Sequence, residues 1–239
     1  MAENTILYPS LEQTSELTDS IIRQLLKRMY VQDGLIAWWD GEWNAGLGIH
    51  DENATVWKDL AGNRDLTVSS HGSFSDSYFQ TDGQGAAATY PEALAHSNTN
   101  WLEIVFAENV VGNNNNPVVL FLSKNSNGIL SLGCCFRNTN MYGSRQAGLN
   151  ILNKSIRSYS GRCNNELAQR LWYCDGKQYT NSFGTAEIYG DGTISVGALS
   201  DGTRPKATKI HCIRVYNRLL SAAEVVANYA TDKQRFNLP

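Results

Sequence analysis

The stretch Ile210-His-Cys-Ile-Arg-Val-Tyr-Asn-Arg-Leu-Leu-Ser-Ala-Ala-Glu-Val-Val-Ala-Asn-Tyr-Ala-Thr-Asp-Lys-Gln-Arg-Phe236 decides how the chain is read. Its first seven residues, through Tyr216, are rich in β-branched and aromatic side chains and read as a strand. It then turns helical. Ser221 and Glu224 stand at capping-box spacing, with Leu220 and Val225 at the flanking staple positions. Ala222, Val225, Val226 and Tyr229 give that helix an apolar side. A helix started so firmly after a strand predicts a lid docked over an edge or an open end of a β structure.

Working back from it, the chain between Gly34 and Tyr216 reads as strands and turns. Asp-Gly recurs at Asp33-Gly34, Asp40-Gly41, Asp82-Gly83, Asp175-Gly176, Asp191-Gly192 and Asp201-Gly202. The dipeptide favours tight turns, because glycine takes positive φ and aspartate bonds its own backbone. Residues 100–107 alternate, with Leu102, Ile104 and Phe106 on one face; residues 128–136 place Leu130, Leu132, Cys134 and Phe136 on one face. Residues 117–123 form a continuous apolar run, as in a strand covered on both sides. Residues 169–179 read as strand, turn and returning strand. About a dozen short strands with no helix between them predict an all-β, two-sheet antiparallel sandwich of jelly-roll type.

Residues 1–33 differ. Ser10 and Gln13 fit a capping box, acidic Glu12, Glu16 and Asp19 precede basic Arg23, Lys27 and Arg28, and Thr18, Ile22, Leu25 and Met29 follow a 4-3-4 spacing. This predicts a helical arm ahead of a β domain at 34–239. Ile22, Leu25 and Met29 would lie on the β domain or zip against copies of themselves.

Composition narrows the function. The net charge is -3 without a basic cluster, which argues against nucleic acid. No apolar run approaches the about 20 residues of a membrane span, and the opening lacks the pattern of a signal peptide. The five cysteines read as reduced and packed; a Cys163–Cys174 disulfide is the less favoured alternative.

The order of the motifs resembles the LamG-like family of concanavalin A-like sandwiches. The likeness is carried by Trp57–Asn63, by Tyr173–Gly176 and above all by Tyr216–Glu224, and spans about residues 34–235. It implies a jelly roll whose last element is a capping helix. It implies a setting too, since such domains are frequent in tailed-phage structural proteins. From it comes the expectation of a virion component, assembled in the host cytoplasm as a homo-oligomer, with a trimer favoured. The arm would engage a capsid or tail protein, and the domain host or mucosal glycans. The alternative is a free lectin-like protein, and behind it a glycoside hydrolase.

Catalysis is not expected. A retaining glycosidase needs two carboxyls about 5 Å apart, and no strand carries Glu-x-Asp-x-Glu. Asp40 and Glu42 alternate, but Asp40-Gly41 reads as the end of a strand. His50, His71, His96 and His211 are scattered, and His211 reads as a satisfied core or interface imidazole. Trp43, Tyr142 and Arg145 are the candidate carbohydrate-binding residues. For calcium the candidates are Asp51 and Asp59, beside His50 and Glu52; the simpler reading is a solvated loop in which Asp59 bonds its own turn.

Overall fold

The computed structural model describes residues 20–21, 24–92, 94, 101–108, 118–123, 132–137, 140–142, 157–162, 169–182, 193–203 and 205–239. Two antiparallel sheets pack face to face, and one C-terminal helix lies against them.

The larger sheet contains β1 (Leu35–Asp40), β4 (Gly72–Ser75), β5 (Tyr78–Asp82), β7 (Trp101–Glu108), β11 (Arg157–Arg162), β12 (Gln169–Cys174), β13 (Lys177–Ser182) and β15 (Ala207–Tyr216), ordered β13-β12-β11-β7-β15-β5-β4. The long strand β15 pairs with β7 along one side. On its other side it pairs first with β5 and then with β1, so that β1 continues the line of β5. The second sheet runs β10-β9-β8-β14-β6-β3-β2, made of β2 (Val56–Trp57), β3 (Leu66–Val68), β6 (Ala88–Tyr90), β8 (Val118–Ser123), β9 (Leu132–Arg137), β10 (Asn140–Tyr142) and β14 (Ile194–Val196). The β12–β13 hairpin turns on Asp175 (φ 49°) and Gly176 (φ 70°), the primed turn its Asp-Gly predicts. Asp40-Gly41 does end β1. Gly41 is needed there for clearance, since a Cβ would lie 2.5 Å from Tyr78 Cα.

Alternation sorts the side chains of the larger sheet. Ala37, Trp39, Leu102, Ile104, Phe106, Ile213 and Val215 point between the sheets, where they meet Trp57, Leu66, Phe74, Phe79, Ile194 and Val196. The inward set on β7 is the one its pattern predicts. Trp57 belongs here too, its ring 4.5 Å from Phe79 and edge-on to Phe74, with its Nε1 donating to Asp40 O at 2.8 Å. In β15 the register against β7 slips between Ile210 and Cys212, leaving His211 as an extra residue. Ile210 faces the core, and beyond the slip Cys212, Arg214 and Tyr216 face outward.

Helix α1 (Ala222–Phe236) has the capping box read from the sequence, Ser221 Oγ accepting from Glu224 N while the Glu224 carboxylate accepts from Ser221 N. Arg218 grips the same carboxylate and holds its pKa down to about 2. Asn237, left-handed at φ 51°, ends the helix. The helix covers neither an edge nor an open end. It roofs the outer face of the larger sheet, over β7 and β15. Its buried residues are Val225, Asn228, Asp232 and Phe236, whereas Ala222 and Val226 are exposed. The buried face is rotated from the expected apolar side because the sheet beneath offers polar partners that Asn228 and Asp232 can satisfy.

Candidate functional site

The outer face of the larger sheet has a half roofed by α1 and an open half. Under α1, Arg214 donates from Nε to Glu103 at 2.8 Å and from both terminal nitrogens to Asp232 at 2.9 and 2.5 Å. Asn228 Nδ2 reaches Glu103 Oε2 at 2.8 Å and Tyr216 Oη at 3.0 Å, and Tyr30 Oη donates to Asp232 at 2.8 Å. Burial lifts the Glu103 carboxyl above its ordinary range against the pull of Arg214, with Asp232 adding to the rise. Every member of this network is closed to solvent. It fastens the helix and offers no place for a ligand.

The same roof closes over several residues singled out in the sequence. Trp43 is 8% exposed, edge-on to Trp38 and covered by the Arg235 guanidinium at 3.7 Å from its ring centroid. It lies outside the core between the sheets but inside a second buried cluster with Tyr30, Trp38 and Phe236, and the last turn of α1 occupies the ring face that a sugar would need. Asp40 and Glu42 both bind Arg235, Asp40 at 2.9 and 3.0 Å and Glu42 at 2.7 Å, so the alternating carboxylates hold an arginine.

Both carboxylates named for calcium accept backbone N–H groups. Asp59 Oδ1 accepts from the backbone N–H of Trp38, Ala61 and Gly62, and Oδ2 from Arg64 N, which leaves its carboxylate bracing its own loop against β1. Asp51 accepts from Asn53 N within its own turn. Among the described residues no group of three or more His, Cys, Asp or Glu could hold a metal ion. Tyr142 lies in β10, but its side chain, like Arg145, Ile22 and Cys163, falls outside the described residues.

His211 sits at the border of the two halves. It is buried against Phe236 and Tyr78, and its Nδ1 has no hydrogen-bond partner, so the imidazole is not satisfied as expected. Burial lowers its pKa from 6.5 to about 4, against a hydrogen bond to the Ser77 backbone and the pull of Asp40; Lys209 and Arg235 lower it further. The folded protein therefore binds fewer protons here than the unfolded chain does. The contribution is intact above about pH 6.5 and is lost as pH falls toward about 4, by at most about 3 kcal/mol. Urea unfolding at about pH 7, 6 and 5 is expected to show wild-type stability falling more steeply than that of His211→Gln. Equal slopes would mean the ring is not held neutral.

The open half is built from β4, β5 and the first residues of β15. Phe74, Phe79, Thr81 and Ile210 turn inward, which sends Ser73, Ser75, Tyr78, Gln80 and Lys209 outward. Register places Ser73 opposite Gln80, Ser75 opposite Tyr78, and Lys209 opposite Gln80. Lys209 Nζ lies 3.1 Å from Tyr78 Oη and 4.4 Å from its ring centroid. Hydrogen bonds from Ser75 and Lys209 lower the phenol pKa. At the rim, His71 Nδ1 meets Asp82 at 3.0 Å. Hydroxyls, an amide and an ammonium thus lie side by side on strands about 4.8 Å apart, on the scale of a sugar ring. The sequence reading passed over this strip. Its signal was the polar-apolar alternation of Tyr78-Phe-Gln-Thr-Asp82, whose outward members are the planar polar ones.

These features define the class: an antiparallel β-sandwich roofed on one outer face by a C-terminal helix. No family model matches the sequence, and no curated protein does. Among solved structures it is similar to a sialidase of Trypanosoma rangeli in complex with sialic acid, at 13% identity and a TM-score of 0.60, over 92% of this chain and 39% of that one. The binding domain of botulinum neurotoxin serotype D is similar at 13% identity and a TM-score of 0.55, over 84% of this chain and 52% of that one. The chain thus spans about two-fifths of the length of the sialidase. At such identity the likeness shows the fold. The expectation that the chain is not an enzyme is overturned at the level of the fold: sialidases, which are enzymes, share that fold over more than nine-tenths of the chain.

Proposed function

We propose that the protein is a carbohydrate-recognising module of LamG-like type, gripping its glycan on the open strip of β4, β5 and β15. The observation that carries this reading is the outward row of Ser73, Tyr78, Gln80 and Lys209 on a part of the sheet that α1 leaves uncovered. Such a row pairs donors and acceptors with the hydroxyls of a sugar while the flat sheet supports the ring. The fold is shared with a sialidase solved with sialic acid, which supports the same class of ligand.

The test is a glycan array with the full chain, followed by titration calorimetry on the strongest ligand. Tyr78→Ala combined with Lys209→Ala is expected to weaken binding at least about tenfold, the loss of one or two hydrogen bonds to polar groups. Unchanged affinity would move the site elsewhere, and an array without any ligand would end the reading. Turnover of the bound glycan would extend it from recognition to cleavage.

A further inference from the structure

One ionisable ring lies beneath the last turn of α1 with no place for a second proton. His211, the extra residue of β15, is 3% exposed. Phe236 packs on it at 5.2 Å between ring centroids, and Tyr78 of β5 meets it edge-on at 5.6 Å. One side of the ring is bonded to the Ser77 backbone, and Nδ1 has no partner among the described residues. A neutral imidazole tolerates this, because it carries a single N–H. An imidazolium does not, because it would bury a charged donor facing no acceptor. Charges reach the ring from β1, β15 and α1. Asp40 favours a proton there, while Lys209 and Arg235 oppose it. The neighbouring Cys212 is a thiol that burial keeps protonated. Asp40 is already engaged. Its Oδ1 accepts from Glu42 N, Trp43 N and Arg235 Nη2, and its Oδ2 from Trp38 Nε1 and Arg235 Nη1. It can serve an imidazolium only by giving up Arg235.

We propose that His211 is an acid-operated latch for the last turn of α1: the neutral ring lets Phe236 and Arg235 close on the sheet, and a second proton drives that turn away. Opening gives the imidazolium water in place of the acceptor it lacks, and separates it from the Arg235 guanidinium. It also takes Arg235 off the Trp43 ring and off Asp40 and Glu42, so that an aromatic face flanked by two carboxylates is displayed only in acid. The break has a built-in boundary. Asn228 and Asp232 tie the middle of the helix to Glu103 and Arg214, and the capping box holds its start. Helix ends bounded in this way open at less cost than the whole fold. The latch does not depend on the glycan reading.

Amide hydrogen exchange of the full chain at about pH 7.5 and about pH 5, corrected for the intrinsic effect of pH, tests it. The ring titrates at about 4 when closed and about 6.5 once in water, so the closed form is fully favoured above about pH 6.5 and loses ground as pH falls toward about 4. From those two values the opening constant of residues 233–236 is expected to be about thirtyfold larger at the lower pH. The first turn of α1 is the internal reference and should keep its protection, since Arg218 holds the Glu224 carboxyl down to about 2. His211→Gln should abolish the acid effect on the last turn, and so should His211→Phe, a ring with no proton to gain. Protection of the last turn that ignores pH would overturn the latch. So would an acid effect that persists in both variants, or a first turn that opens in step with the last. Should neither variant fold, the contrast between the two turns of the wild type decides.

Discussion

Arg214→Ala is expected to cost about 3–5 kcal/mol of folding stability, a large share of an ordinary margin of about 5–15 kcal/mol. Arg214 is completely buried between Glu103 and Asp232, and its guanidinium also covers the Tyr30 ring at 3.9 Å. Removing it strands two carboxylates beneath the helix with no cation between them. The cost is that of stranded charge more than of a lost attraction. It follows that Arg214→Met, Glu103→Leu and Asp232→Leu made together should destabilise less than Arg214→Ala alone, because no uncompensated charge stays behind. Urea unfolding of the variants gives the comparison. If the triple variant proves the weaker one, the network stabilises the fold by direct attraction and this account fails.

Trp57→Ala is the second large effect, at about 3–5 kcal/mol and a fall in Tm of about 10 °C or more. Trp57 is wholly buried, and β2, which carries it, has only two residues. Backbone pairing that short holds little by itself. The indole anchors β2 instead, tilted against Phe79, edge-on to Phe74 and bonded to the carbonyl of Asp40 at the end of β1. Substitution leaves a cavity among rigid rings and an unpaired carbonyl in the core. Thermal unfolding followed by near-ultraviolet dichroism reads both. A loss under about 1 kcal/mol would show that the aromatic cluster collapses into the space.

The parts of the fold that the sequence discloses are those set by neighbours along the chain. The capping box of Ser221 and Glu224 needs only three residues of context, and so does the Asp175-Gly176 turn. The inward face of β7 shows in the period of Leu102, Ile104 and Phe106. The outward face of the same strand is hidden from such reading. Glu103 is 2% exposed although alternation assigns it to solvent, because its partner Arg214 is 111 residues away and the helix that roofs both comes later still. Trp43 misleads for the same reason: it lies outside the core between the sheets, in a contact that no local pattern announces. The slip at His211 adds a further obstacle, since beyond it the parity of β15 reverses. The open strip could have been found from the parity of β5, had aromatic and polar outward residues been weighed together. The phage setting came from the family resemblance and from no residue's chemistry.

The bonds from Met29, Tyr30 and Val31 to Thr231, Asp232 and Asn228 bring the entry and the exit of the β domain to one spot. A unit whose two ends leave side by side can be carried as an insert. Spliced into a surface loop of another protein, it would keep the host's loop ends together and impose little stretch on them. The same closeness suits circular permutation: a short linker joining the two ends and new termini opened at an exposed turn, such as Asp201-Gly202, would leave both sheets and their roof intact.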